Sequence, residues 1–218
     1  MEITLYYFKI AFWRAEMTRL ALYIGDIPFN NYIIEGKDRD NFKNSGILPN
    51  KKIAPFRQLP VLDVDGKIFA QTGAIARFCG KLSGLYPKDD DLAAARIDQV
   101  IEVAQDINYL FTLSSRDKEK EKLKLARKIL AIKHLPKYFN FLENLIKEND
   151  NSLFFVGENI SIADLAIWRL LGWFESGIID GVPTNILEPY ENLKKMRNEI
   201  YKHPKVNDWM IKSYGKVI

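Results

Sequence analysis

The chain has 218 residues, a formal net charge of +4, 47% hydrophobic and 28% charged side chains. That balance excludes a disordered or fibrous protein, and the length allows one large domain or two modest ones with real cores. No window of roughly 18 residues lacks Asp, Glu, Lys and Arg, which excludes a membrane-spanning helix.

The opening Met1-Glu2-Ile3-Thr4-Leu5 has no basic flank and no apolar core, which argues against a secretory signal. The one cysteine, Cys79, has no intramolecular partner and fits a cytoplasmic setting. With only His134 and His203 besides, far apart, no metal site is expected.

Ile3–Phe8 is rich in strand formers. Met17, Leu20, Ala21 and Ile24 recur at helical spacing, so Arg14–Ile24 reads as an amphipathic helix closed by Gly25. Phe29–Ile34 is a second strand, and the polar stretch Glu35–Lys52 holds a short helix near Asp40–Lys43. Pro60–Val64 and Lys67–Ala70 are strands joined by Asp65-Gly66, a dipeptide suited to a hairpin turn with positive φ. Thr72–Leu82 is a helix ended by Gly84. The order β, α, β, then a polar segment, a hairpin and a helix describes a small α/β layer over residues 1–83.

After the linker 84–91, with Pro87, the strand signal stops. Ile97, Val100, Ile101, Ala104, Ile107 and Phe111 form one helical stripe. Lys118–Ile146 reads as a helix bent at Pro136, and Ser161–Glu175, Asn185–Tyr201 and Pro204–Ser213 as three more. Residues 92–218 are therefore an all-helical domain. Arg116–Lys137 carries nine Lys/Arg against three Asp/Glu. No aromatic residue interleaves with those charges, so the run reads as a solvated helix face and no nucleic-acid partner is expected.

Three features of the first domain bear on chemistry, each with an ordinary structural alternative. Gln58-Leu59-Pro60 opens a strand; a cis bond would turn the Leu59 backbone toward an extended ligand, whereas a trans proline would merely begin the strand. Gln71-Thr72 opens a helix whose free N–H groups suit an anion, or simply caps it. A tyrosine of Tyr6-Tyr7-Phe8 donates into a cleft, or packs. Alternation puts Ile3, Leu5 and Tyr7 on one face and Thr4, Tyr6 and Phe8 on the other.

Together with Arg14-Ala15-Glu16, Asp65-Gly66, Ala74-Ile75-Ala76-Arg77 and Ser161-Ile162-Ala163-Asp164, these residues resemble cytosolic glutathione transferases of the tyrosine type, most of all the sigma class. The resemblance spans nearly the whole chain. It implies an N-terminal thioredoxin-like domain (βαβαββα) followed by a helical bundle, a homodimer, and glutathione as co-substrate with no other cofactor. It implies that Tyr7 bonds the glutathione sulfur, with Arg14 supporting that site. Gln58, Leu59 and a cis Pro60 would meet the cysteinyl unit. Gln71 and Thr72 would hold the γ-glutamyl carboxylate, and Glu102 would reach the γ-glutamyl amine of the partner subunit's glutathione. Lys43 would meet the glycine carboxylate, with Lys51 and Lys52 competing for that role and Arg39 standing where relatives often have tryptophan. A hydrophobic electrophile would sit among Ile10, Phe12, Trp13, Asn108, Phe111 and Thr112.

The loop before Arg14 is one residue longer than the family's and lacks its glycine. A specialised isomerase or peroxidase, and a crystallin-like, ligand-carrying or protein-interaction relative without enzymatic activity, stand as alternatives on the same fold.

Overall fold

A computed structural model describes residues 1–149 and 152–215. The expected helical domain 92–218 thus includes five positions, 150, 151 and 216–218, outside the described residues. The elements are β1 Ile3–Tyr7, α1 Trp13–Ile24, β2 Asn30–Ile33, α2 Gly36–Ser45, β3 Val61–Val64, β4 Lys67–Ala70 and α3 Thr72–Ser83. The helical half follows as α4 Asp91–Ser114, α5 Lys120–Ile129, α6 Leu135–Glu148, α7 Ile162–Glu175, α8 Glu191–Lys202 and α9 Pro204–Tyr214.

The sheet order is β2-β1-β3-β4, with β1 parallel to β2 and the other pairings antiparallel. Strand alternation divides its two faces. Ile3, Leu5 and Tyr7 pack with Ala15, Leu62 and Ile75 beneath α1 and α3. Tyr6 turns the other way, to Ile34, Phe42, Leu48 and Val61 under α2. Cys79 is fully buried in the first cluster, and burial pushes its thiol up to about 12. Helix α1 packs on α3 and also on α7, so it joins the two halves.

Three expected boundaries move. The helix expected over Lys118–Ile146 divides into α5, a π-helical turn Leu130–His134, and α6. The helical backbone runs unbroken from Lys120 to Glu148, and Pro136, which has no N–H to donate, follows closely on the π-helical turn that interrupts the α-helical pattern. The helix expected from Asn185 begins only at Glu191, because turns occupy the chain up to Pro189. The short helix near Asp40–Lys43 is a ten-residue helix, closed by Gly46 at φ 73°.

Helix α7 is buried along nearly its whole length and begins with a capping box. The fully buried Asp164 carboxylate accepts from the Ser161 N–H (2.8 Å), the Ser161 hydroxyl (2.6 Å) and the Phe155 N–H (2.9 Å). Replacing it strands two buried amides, each costing roughly 1–3 kcal/mol. Asp164→Ala should lower the stability by about 2–5 kcal/mol in denaturant melts, well beyond a Ser161→Ala loss of about 1 kcal/mol. Equal losses would show that the carboxylate carries no special share.

Candidate functional site

Tyr7 ends β1, next to the loop that leads into α1. Its ring is 5% exposed and lies 5.6 Å from the Arg19 guanidinium. Burial pushes its hydroxyl up to about 12, against the opposing pull of Arg14 and Arg19. The phenol thus stays protonated and available as a donor at neutral pH.

The loop after Tyr7 is held by cations from two other elements. Arg19 of α1 donates to the Phe8 and Ile10 carbonyls, both at 3.0 Å. Arg169 of α7 donates to the Ala11 carbonyl from Nη2 at 2.7 Å and from Nε at 3.1 Å. Arg19 is itself neutralised by Glu16 at 3.0 Å, with both side chains fully buried. The Glu16 carboxylate also accepts from the Tyr214 hydroxyl at 2.6 Å and the Trp209 indole N–H at 2.5 Å, so α9 is fastened to the same point.

The loop forms one wall of a 660 Å³ cavity. Tyr7, Phe8, Phe12, Phe111, Trp173 and Tyr214 supply its aromatic lining, with Phe12 and Phe111 edge-on to Trp173 at 4.9 and 4.4 Å. Of the expected electrophile-site residues, Ile10, Phe12, Asn108, Phe111 and Thr112 line this cavity. Trp13 does not. As the first residue of α1 it turns inward, fully buried, with its indole N–H 3.5 Å from Asn108 Oδ1.

On the other side of Arg14 lie two adjoining recesses that share Gln71, Thr72 and Gln105. Gln58, Leu59 and Pro60 line one, and the Leu59–Pro60 peptide is cis. Gly73, Arg77 and Glu102 line the other, where Glu102 faces Gln71 and Thr72 of its own chain. Gln71 precedes the first turn of α3 at φ 75°, a conformation that a side chain adopts only at a cost of about 1–3 kcal/mol. Arg14 lines both cavity and recess, and its Nε is buried without a hydrogen bond.

The remaining expected positions lie around the rim. Arg39 is exposed on α2, with its guanidinium 5.5 Å from the Phe8 ring. Lys43 is exposed in the last turn of α2 and lines neither recess. Lys52 is drawn away, onto Asp63 (3.4 Å) and the Gly66 carbonyl of the β3–β4 turn. Lys51 is exposed.

The sequence reading missed Lys9, Gln105, Arg169, Trp173, Ile178 and Tyr214. Arg169 had a signal, since a lone charge inside the apolar run of α7 demands a partner. Tyr214 had none, because nothing local shows that the last helix returns to the first loop. Among the described residues no group of three or more His, Cys, Asp or Glu is placed to hold a metal, and no helix is long and apolar enough to cross a membrane.

A family model described as the glutathione S-transferase C-terminal domain matches residues 105–213. A glutathione S-transferase of Plasmodium falciparum is 31% identical, over 78% of this chain and 78% of its own. The structure described as prostaglandin synthase D of Nilaparvata lugens superposes with a TM-score of 0.81 at 26% identity, covering 97% of this chain and 98% of that one. The hookworm transferase Na-GST-3 from Necator americanus, described as monomeric, gives 0.78 at 25% identity, covering 97% of each.

Glu16→Gln would leave Arg19 buried without its counter-charge, a loss of about 3–5 kcal/mol. A thermal melt should show a large drop in midpoint. An unchanged midpoint would mean that this buried pair does not hold the loop and α9 together.

Proposed function

Because the chain belongs to the cytosolic-type glutathione S-transferase family and is a transferase, we propose that it conjugates the glutathione thiolate to hydrophobic electrophiles, with Tyr7 as the thiol-activating donor. The observation that carries this reading is a buried, protonated phenol in the wall of an aromatic cavity that shares Arg14 with the adjoining polar recess.

A free thiol has a pKa of roughly 8.5 and is mostly protonated at neutral pH. A hydroxyl aimed at the sulfur stabilises the anion more than the thiol, and each unit of lowering is worth about 1.4 kcal/mol. Two units make most of the bound thiol a nucleophile at pH 7. Arg14 adds positive charge on the same side.

Gln71, Thr72 and the α3 N-terminus suit the γ-glutamyl carboxylate, and the Leu59 backbone suits the cysteinyl unit. Gln58 flanks that backbone, and Glu102 and Gln105 offer acceptors to the γ-glutamyl amine. Arg39 and Lys43, exposed on α2, are the cations assigned to the glycine carboxylate. The aromatic cavity then places the electrophile beside the sulfur, and proximity supplies much of the remaining acceleration. A cytoplasmic homodimer completes the reading, and Na-GST-3 makes its assembly a matter for direct measurement by sedimentation.

Tyr7→Phe should reduce conjugation of 1-chloro-2,4-dinitrobenzene about 10- to 100-fold at pH 6.5. The deficit should narrow at pH 9, where the thiol ionises unaided, and the KM for glutathione should stay within about twofold. The bound-thiol pKa read from the pH–rate profile should rise. A deficit equal at both pH values would remove Tyr7 from this role, and failure to bind immobilised glutathione would remove the function itself.

A further inference from the structure

The electrophile cavity combines an apolar body with an uncompensated positive charge. Its lining includes three cationic side chains, Lys9, Arg14 and Arg169, and no Asp or Glu. Two of the three are committed. Arg169 bonds the Ala11 carbonyl, and Arg14 faces the glutathione recess as well as the cavity.

Lys9 is different. It is exposed in the loop after Tyr7, it lines the cavity but neither glutathione recess, and among the described residues no acid or hydrogen-bond acceptor pairs with it. In the same cavity, Phe8, Ile10, Phe12, Trp173 and Ile178 offer apolar surface. An uncharged hydrophobic substrate would use that surface and leave the ammonium idle. A molecule with an apolar middle and a terminal carboxylate would use both.

We infer that the preferred second substrates are amphipathic electrophiles bearing a carboxylate remote from the reacting carbon, with Lys9 as the residue that selects for the acid. The inference rests on the glutathione transferase reading and refines its substrate class. Lys9 is exposed, so the pair it forms with the acid is a solvated one and the selection is modest, about two- to fivefold in kcat/KM.

The test uses two aryl chlorides that differ only at the far end, 6-(4-chloro-3-nitrobenzamido)hexanoate and its methyl ester. In both, the glutathione sulfur bonds to the ring carbon, the C–Cl bond breaks, chloride leaves and the thiol proton passes to solvent. The alkyl spacer keeps their intrinsic reactivity equal, and 1-chloro-2,4-dinitrobenzene serves as the neutral reference.

The acid should exceed the ester by about two- to fivefold in kcat/KM with the native protein. That ratio should approach one in Lys9→Gln, fall below one in Lys9→Glu, and shrink as salt rises. Lys9 is a surface position, so neither variant threatens the fold, and the ratio is insensitive to any general change in activity. An acid-to-ester ratio near one in the native protein, with the reference compound still conjugated, overturns the substrate class alone. A ratio that survives Lys9→Gln overturns the assignment to Lys9. No conjugation of any of the three compounds overturns the transferase reading, and the refinement with it.

Discussion

A single buried carboxylate organises this molecule. Glu16 lies on the first helix, out of contact with water, and accepts from Arg19, Tyr214 and Trp209. Ionised carboxylates enter a protein interior only when their oxygens are fully occupied, and here both are. Arg19, neutralised by Glu16, is then free to spend its remaining N–H groups on the Phe8 and Ile10 carbonyls and on Asn31. The loop after Tyr7 thus gains partners for backbone groups that no strand or helix satisfies. One acid fixes the first strand's exit, the second strand and the last helix relative to each other.

That constraint gives the site its two-sided form. Arg14 stands on the same helix as Glu16 and divides a polar recess from an aromatic cavity. The recess is built from backbone at the head of β3 and the start of α3, rigid elements that present amides and short polar side chains. The cavity is built from a loop, the last turns of α4 and the inner face of α7, where aromatic rings meet edge to edge. The tyrosine at the strand end lines the cavity, beside the arginine that the two share. In the proposed reaction, activation of the sulfur and placement of the electrophile fall to different secondary elements, so the second could vary without disturbing the first.

Much of the first domain was legible because its signals are local. Strand alternation put Ile3, Leu5 and Tyr7 on one face and Asp65-Gly66 marked the hairpin; in the second domain, Ser161 with Asp164 marked the start of the buried helix. The bent basic helix was not legible, since a π-helical turn leaves no compositional trace and Pro136 drew the break toward itself. Trp13 read as a loop residue because the sequence offers no cap before α1; the N-cap position is Phe12, without a side-chain bond. The Glu16–Arg19 pair gave no signal of burial, because spacing of three residues is the same whether a helix face meets water or a second domain. What places the site is therefore a long-range contact, between residues up to 198 positions apart, that no local pattern encodes.

Cys79 acquires a meaning from this chemistry. A protein proposed to handle electrophiles runs the risk of being alkylated by them, and a cysteine is the side chain such reagents seek first. Here the sole thiol is buried on the third helix, against the sheet, and kept in its unreactive protonated form, so the protein offers such reagents no soft target and should outlast repeated exposure to them.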